Sequence, residues 1–166
     1  IQHGEITIAT LDCKNNKNIY KIRQKCGMVF QNPNNQFVSS VVKEDIEFSL
    51  KNYNIDYDDS TISKALSLVG LENFENRDIY SLSGGQKQRL ITASTLAMEQ
   101  KIIILDEPLA NLDTHTAHIL LKALRNLANS GYAVLIVEHR LDVVKNYIDK
   151  VMRIENKQLF TSTDIN

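Results

Sequence analysis

Four short polar sites in this 166-residue chain combine residue types that handle phosphate and water. Gln31 follows the apolar run Gly27-Met28-Val29-Phe30, and Asp106-Glu107 follows Ile102-Ile103-Ile104-Leu105. His139 follows Ala133-Val134-Leu135-Ile136-Val137-Glu138. The fourth site, Leu82-Ser83-Gly84-Gly85-Gln86, opens a stretch of helical character. A carboxylate at a strand end, here Asp106, can hold Mg2+ directly or through water, because Mg2+ takes oxygen ligands and keeps several waters. The neighbouring Glu107 diverges from it and can orient or deprotonate an attacking water. A Ser-Gly-Gly turn at a helix start offers free backbone N–H groups and a positive dipole end to an anion.

These sites need elements to present them. Residues 5–9 alternate as a half-buried strand does, and residues 12–18 are a polar loop. Residues 19–24 fit a short helical turn, and residues 27–30 a buried strand. A turn cluster containing Pro33 stops that strand. Val42, Asp45, Ile46, Ser49 and Leu50 recur at helical spacing within residues 41–52. Asp58-Asp59-Ser60 opens a second helix with Ile62, Ala65, Leu66 and Val69 on one face and Gly70 as its stop. Residues 81–97 continue as a helix. Residues 101–106 read as a strand buried on both faces, and residues 115–128 as an amphipathic helix. Residues 133–137 are a second fully apolar strand, with terminal strands at 151–154 and 159–160. Strand–helix–strand alternation predicts an α/β parallel sheet. Three of the four sites then lie at the carboxyl ends of its strands, where ligands sit in open sheets of this kind. Residues 41–97 lack a strand and read as a helical insertion.

Composition narrows the function classes. Hydrophobic residues are 43% and charged residues 23%, an ordinary globular balance that excludes disordered, collagenous and disulfide-scaffold chains. A net charge of −1 provides no basic field for nucleic acid or anionic lipid. No apolar run approaches the ~20 residues of a membrane span. Residues 1–5 carry neither the basic nor the apolar region of a signal peptide, and there is no initiator Met, so the chain reads as starting inside a longer protein. Cys13 and Cys26 lack CxxC spacing and read as free thiols of a reducing compartment.

The order LSGGQ (82–86), IIILDEP (102–108), ANLD (110–113) and a strand ending in His139 resembles the nucleotide-binding subunit of an ABC transporter. The resemblance runs from about residue 4 to 160. GMVFQNPNNQ (27–36), VVKEDIEFSLKN (41–52) and EHRLD (138–142) are similar to the energy-coupling-factor subfamily, which powers uptake of vitamins and transition metals. The resemblance implies a P-loop NTPase-like (RecA-like) parallel sheet with an inserted helical subdomain, the α/β core spanning 1–40 and 98–160 and the insertion 41–97. It implies ATP and Mg2+ as ligands. Gln31 resembles the Q-loop glutamine, which contacts Mg2+ and the membrane subunit. Ser83, Gly84, Gly85 and Gln86 resemble the signature that meets the γ-phosphate of ATP held by a second subunit. Asp106 resembles the Walker B aspartate, Glu107 the catalytic glutamate, Asp113 the D-loop aspartate and His139 the switch histidine. Implied partners are a second ATPase subunit, a transmembrane coupling subunit and a substrate-binding membrane subunit, with no nucleic acid. The implied place is the cytoplasmic face of the membrane. A non-hydrolysing partner offering only its signature, and a soluble ABC-type ATPase, are the alternatives.

One family motif is missing. None of the six glycines is followed by Lys, so these residues contain no GxxxxGK[ST] phosphate cradle. The expectation is that this stretch alone neither binds ATP tightly nor hydrolyses it. The family places the P-loop strand between the strand ending at His139 and the strand near Val151, so the sheet is expected to show a gap or an exposed edge there. Plainer readings are expected elsewhere. His3, His115 and His118 read as surface residues, Asp45 and Glu47 as an exposed helix face, and Asp56, Asp58 and Asp59 as a solvated loop and cap. Lys87 and Arg89 divide evenly between solvent and a subunit surface.

Overall fold

The computed structural model describes residues 4–162; the expectation for His3 lies outside them. A hairpin of β1 (Thr7–Ile8) and β2 (Leu11–Asp12) leads through α1 (Ile19–Lys25) into β3 (Cys26–Val29). The alternation at residues 5–9 therefore yields only a two-residue strand, because the chain turns left-handed at Ala9 and Thr10 (φ 47° and 68°). Three helices follow: α2 (Val42–Asn52), α3 (Asp59–Leu68) and α4 (Gly84–Ala97). Between residues 41 and 97 the extended pairing is one isolated bridge, Val41 to Asp78. Then come β4 (Ile102–Asp106), α5 (Thr114–Asn129), β5 (Ala133–Val137), a short α6 (Leu141–Val144), β6 (Val151–Glu155) and β7 (Gln158–Ser162).

Strands β3, β4 and β5 form a parallel sheet in that order, with Val29 opposite Leu105 and Asp106 opposite Val137. Ile103 and Leu105 are fully buried, whereas Ile102 and Ile104 on the other face are half-buried. The expected burial on both faces is thus complete on one. Helix α5 lays Ala117, Leu120, Leu121 and Leu124 into the core. Helix α4 is enclosed almost all round from Leu90 onward, so its hydroxyls turn inward: Thr92 and Thr95 donate to the carbonyls of Gln88 and Ile91, each at 3.0 Å. It lies so close to β3 that a Cβ on Gly27 would collide with Thr95 and Gln100. Val29, Ile46, Leu66, Leu90, Leu105 and Leu121 belong to one continuous apolar cluster.

Among the described residues β6 and β7 pair only with each other, antiparallel. No ladder joins β5 to β6 among the described residues, and a cavity of about 730 Å³ lies between them. Its walls are mainly apolar and open: Val137 on β5 is 49% exposed and Ile154 on β6 is 76% exposed. Burying such side chains is worth roughly 25 cal/mol per Å², so this sheet edge is one that another segment would gain by covering. Among the described residues no helix is long and apolar enough to cross a membrane.

Candidate functional site

The middle strand of the sheet carries the centre of the site. After Asp106, the N–H of Glu107 still donates to the Val137 carbonyl at 2.9 Å, extending the β4–β5 ladder by one step. The backbone then turns left-handed at Glu107 (φ 48°), a conformation that costs a non-glycine residue roughly 1–2 kcal/mol. Pro108 follows, buried, and the Ala110 N–H closes the turn on the Glu107 carbonyl at 3.2 Å. One carboxylate oxygen of Glu107 accepts from Gln31 Nε2 at 2.7 Å, and the other lies 3.3 Å from His139 Nε2. Three residues from the ends of three adjacent strands thus meet at one carboxylate. The Gln31 loop is closed by its own side chains. Gln36 accepts from the Phe30 N–H at 3.1 Å, and Asn32 caps the turn Pro33–Asn35 through the Asn34 N–H at 3.1 Å.

A second group forms around α4. Ser83 and Gln86 make a reciprocal capping box: Ser83 Oγ accepts from the Gln86 N–H at 3.3 Å, and Gln86 Oε1 accepts from the Ser83 N–H at 2.9 Å. The Gly84 and Gly85 N–H groups carry no hydrogen bond among the described residues, as expected in a first helical turn. Gly85 is packed against the turn that follows β4. A Cβ there would come 2.7 Å from the Asn111 carbonyl oxygen and 3.1 Å from Leu112. Asp113 caps α5, accepting from the Thr116 N–H at 2.9 Å and the Thr116 hydroxyl at 2.7 Å. Those bonds, the backbone one first, hold its carboxyl below the ordinary carboxylate range. Lys87 donates to Asn34 at 3.2 Å and ties α4 to the loop after β3. The structure therefore gathers Gln31, Glu107 and His139 in one cluster, with Asp106 adjoining, and Ser83 to Gln86 against the 109–112 turn.

Several expectations are corrected. Asp45 is not on an exposed face: it is 5% exposed, and its Oδ1 accepts from the Val38 and Ser39 N–H groups at 2.7 and 3.1 Å. Its helical register with Val42 and Ile46 was the available signal. Glu47 pairs with Lys51 at 2.8 Å and Lys43 at 3.9 Å. His115 is exposed, but His118 is half-buried and its Nδ1 lies 3.0 Å from the Tyr147 hydroxyl. Arg89 turns inward and donates to the carbonyls of Val69 and Gly70, at 2.8 and 2.7 Å, beyond the end of α3. Burial lowers its pKa. Glu138 and Arg140, part of the EHRLD resemblance but given no role there, flank His139 and bind the turn after Pro108. Both were visible as charged residues beside a strand-end histidine.

A divalent cation fits this site only with help from a ligand. No group of three or more His, Cys, Asp or Glu side chains able to hold a metal occurs among the described residues. Gln31 spends its Nε2 on Glu107, which leaves its carbonyl oxygen, and Asp106 ends the neighbouring strand. An oxygen set of one carboxylate and one amide, completed by water and phosphate, suits Mg2+ rather than a softer metal.

Comparison with known proteins gives a consistent result. Residues 1–110 match the family described as ABC transporter. The chain is 39% identical over 151 residues to the energy-coupling factor transporter ATP-binding protein EcfA of Methanocaldococcus jannaschii, covering 89% of this chain and 54% of the relative. It is 41% identical over 145 residues to EcfA1 of Streptococcus pyogenes serotype M5, covering 86% and 52%. The chain thus spans about half the length of the curated relatives it matches. Among solved structures it is similar to cbiO1 of Clostridium perfringens, part of the ABC transporter complex cbiONQ. There the TM-score is 0.80 at 30% identity, over 98% of this chain and 66% of the other. It is also similar to the dimeric structure of a bacterial ABC transporter cassette, with a TM-score of 0.81 at 27% identity over 91% of this chain and 68% of the other.

Proposed function

The chain belongs to the ABC transporter family, and we propose on that premise that it forms part of the ATP-hydrolysing subunit of an energy-coupling-factor importer. ATP hydrolysis would drive uptake of a vitamin or a metal ion. The observation that carries the reading is the Gln31–Glu107–His139 cluster at the ends of three parallel strands. Glu107 is the general base: its carboxylate, held between an amide and an imidazole, is placed to take a proton from a water attacking the γ-phosphate. His139 holds that phosphate from the adjacent strand, and Gln31 orients the carboxylate. Asp106 and the Gln31 carbonyl would hold Mg2+, which supplies charge neutralisation to the transferring phosphoryl group. Ser83, Gly84, Gly85 and Gln86, with Asp113 nearby, present a signature face to nucleotide held by a second ATPase subunit, so the active form is a dimer docked on membrane subunits. An intact Glu107–His139 pair favours a hydrolysing subunit over a passive one.

Residues 1–166 contain no phosphate-cradling lysine loop, so this stretch alone binds Mg-ATP weakly and does not hydrolyse it. Tight binding by the isolated stretch, measured by calorimetry, would overturn that part. For the whole ATPase, Glu107→Gln in the assembled transporter is expected to lower the ATP hydrolysis rate by about 100-fold or more while fluorescent-nucleotide binding is kept. A variant that hydrolyses ATP like the parent refutes the assignment of Glu107.

A further inference from the structure

The position of His139 is set by its neighbours more than by its own side chain. The imidazole is 84% exposed, and its contact with Glu107 is 3.3 Å long. Glu138 and Arg140, on either side, turn back and grip the turn that follows Pro108. The Glu138 carboxylate accepts from the Leu109 N–H through Oε1 at 3.0 Å. Its Oε2 accepts from the N–H groups of His139 and Arg140, at 2.8 and 3.1 Å. Arg140 Nη1 donates to the carbonyls of Leu109 and Leu112, at 3.1 and 3.0 Å. Leu109 is fully buried and Leu112 nearly so, which roots the gripped turn in the core. All five bonds have an ionised partner, the stronger class of hydrogen bond. The same turn carries the Asn111 carbonyl that lies against Gly85. Contacts therefore run from the turn at Gly85, through residues 109–112, to Glu138 and Arg140, and so to His139 and Glu107.

We propose that Glu138 and Arg140 are positioning residues that lock His139 to the 109–112 turn, so that displacement of this turn moves the imidazole relative to Glu107. The chemical consequence rests on the ATPase reading above; the mechanical link does not. An amide at position 138 has one acceptor oxygen and one NH2 group. Glu138→Gln must therefore set the NH2 against either the Leu109 N–H or the His139 and Arg140 N–H groups, and one side of the clamp opens.

The test uses the full-length protein in its transporter assembly, with Glu138→Gln, Arg140→Ala and Arg140→Lys. Misplacement of a reacting group by about 1 Å costs about 100-fold. The first two variants should therefore lose 10- to 100-fold in kcat with KM for Mg-ATP changed less than about 2-fold, and Arg140→Lys should recover part of the loss. In the nucleotide-free full-length protein, the ring Cε1–H resonance of His139 should shift in Glu138→Gln and Arg140→Ala while that of His115 stays fixed. If the His139 resonance shifts but the parent assembly hydrolyses no ATP, the clamp stands and the ATPase reading falls. If the parent is active and the variants keep its kcat and an unmoved His139 signal, the clamp is overturned. Equal losses in kcat and rises in KM, or a His115 signal that moves as well, also overturn it, because they mark general loosening.

Discussion

Alanine at each of two adjacent glycines separates helix propensity from close packing. Gly84 and Gly85 both sit in the first turn of α4, where Ala gains up to about 1 kcal/mol over Gly. That gain is similar at both and cancels in the difference between variants. What differs is the space. At Gly84 a Cβ would meet Asn111 side-chain atoms at 3.8 Å, ordinary contact distance. At Gly85 it would meet the Asn111 carbonyl oxygen at 2.7 Å and Leu112 at 3.1 Å. Restoring an ordinary separation of about 3.4 Å requires backbone to retreat by about 0.7 Å, and overpacking of this kind costs about 1–3 kcal/mol. Gly84→Ala should then be neutral or stabilising, and Gly85→Ala should lie 1–3 kcal/mol below it. For a chain of this length each kcal/mol moves Tm by about 2–4 °C, so the two variants should melt about 2–12 °C apart by circular dichroism. Coincident melting curves would refute the packing argument and leave Gly85 as a flexible turn residue.

Three further outcomes are expected. Asp45→Ala removes the acceptor for the Val38 and Ser39 N–H groups and should cost about 1–3 kcal/mol, whereas Asp45→Asn keeps one acceptor oxygen and should cost less; thermal melts of the pair check this. Arg89→Ala strips the charged donor from the Val69 and Gly70 carbonyls and should lose about 2 kcal/mol, with Arg89→Lys intermediate on a denaturant curve. The Asp58 carboxyl is lowered to about 2, first by the Ser60 hydroxyl and then by the Thr61 N–H and hydroxyl. Its folded value lies below its unfolded one, so its contribution is present above about pH 4 and is lost as pH falls toward 2. Asp58→Asn should flatten that acid limb of a Tm-against-pH profile and leave the profile at neutral pH parallel.

Most of the framework was legible because the periodicities were long and the caps explicit. Asp58 and Ser83 cap the helices whose starts their sequence positions suggested, each through a reciprocal capping box. The apolar runs at 102–105 and 133–137 became the paired parallel strands. The misreadings share one cause, side chains whose partners lie outside their own helix. Nothing local to Arg89 points to the carbonyls of residues 69 and 70, and for Asp45, folded back onto Val38 and Ser39, the register with Val42 and Ile46 was the one local hint. The left-handed turn at Glu107 was equally silent, since that conformation favours Gly or Asn and the residue itself gives no hint of it. Its cause lies in tertiary structure, in the Val137 ladder bond and the closed turn behind it.

That turn explains why the Gln31–Glu107–His139 cluster centres on the middle strand. A carboxylate beyond an edge strand has one neighbouring strand and can meet one partner. Glu107 follows β4, flanked by β3 and β5, and so meets Gln31 on one side and His139 on the other. Extending the ladder one step before the chain turns fixes its height against both neighbours, and the roughly 1–2 kcal/mol of backbone strain is offset by the bonds that define the turn. Residues 31 and 107 are 76 positions apart, and only the sheet order brings them together. Strand order therefore sets the geometry of the cluster, and the clamp from Glu138 and Arg140 ties the neighbouring strand end to the same turn.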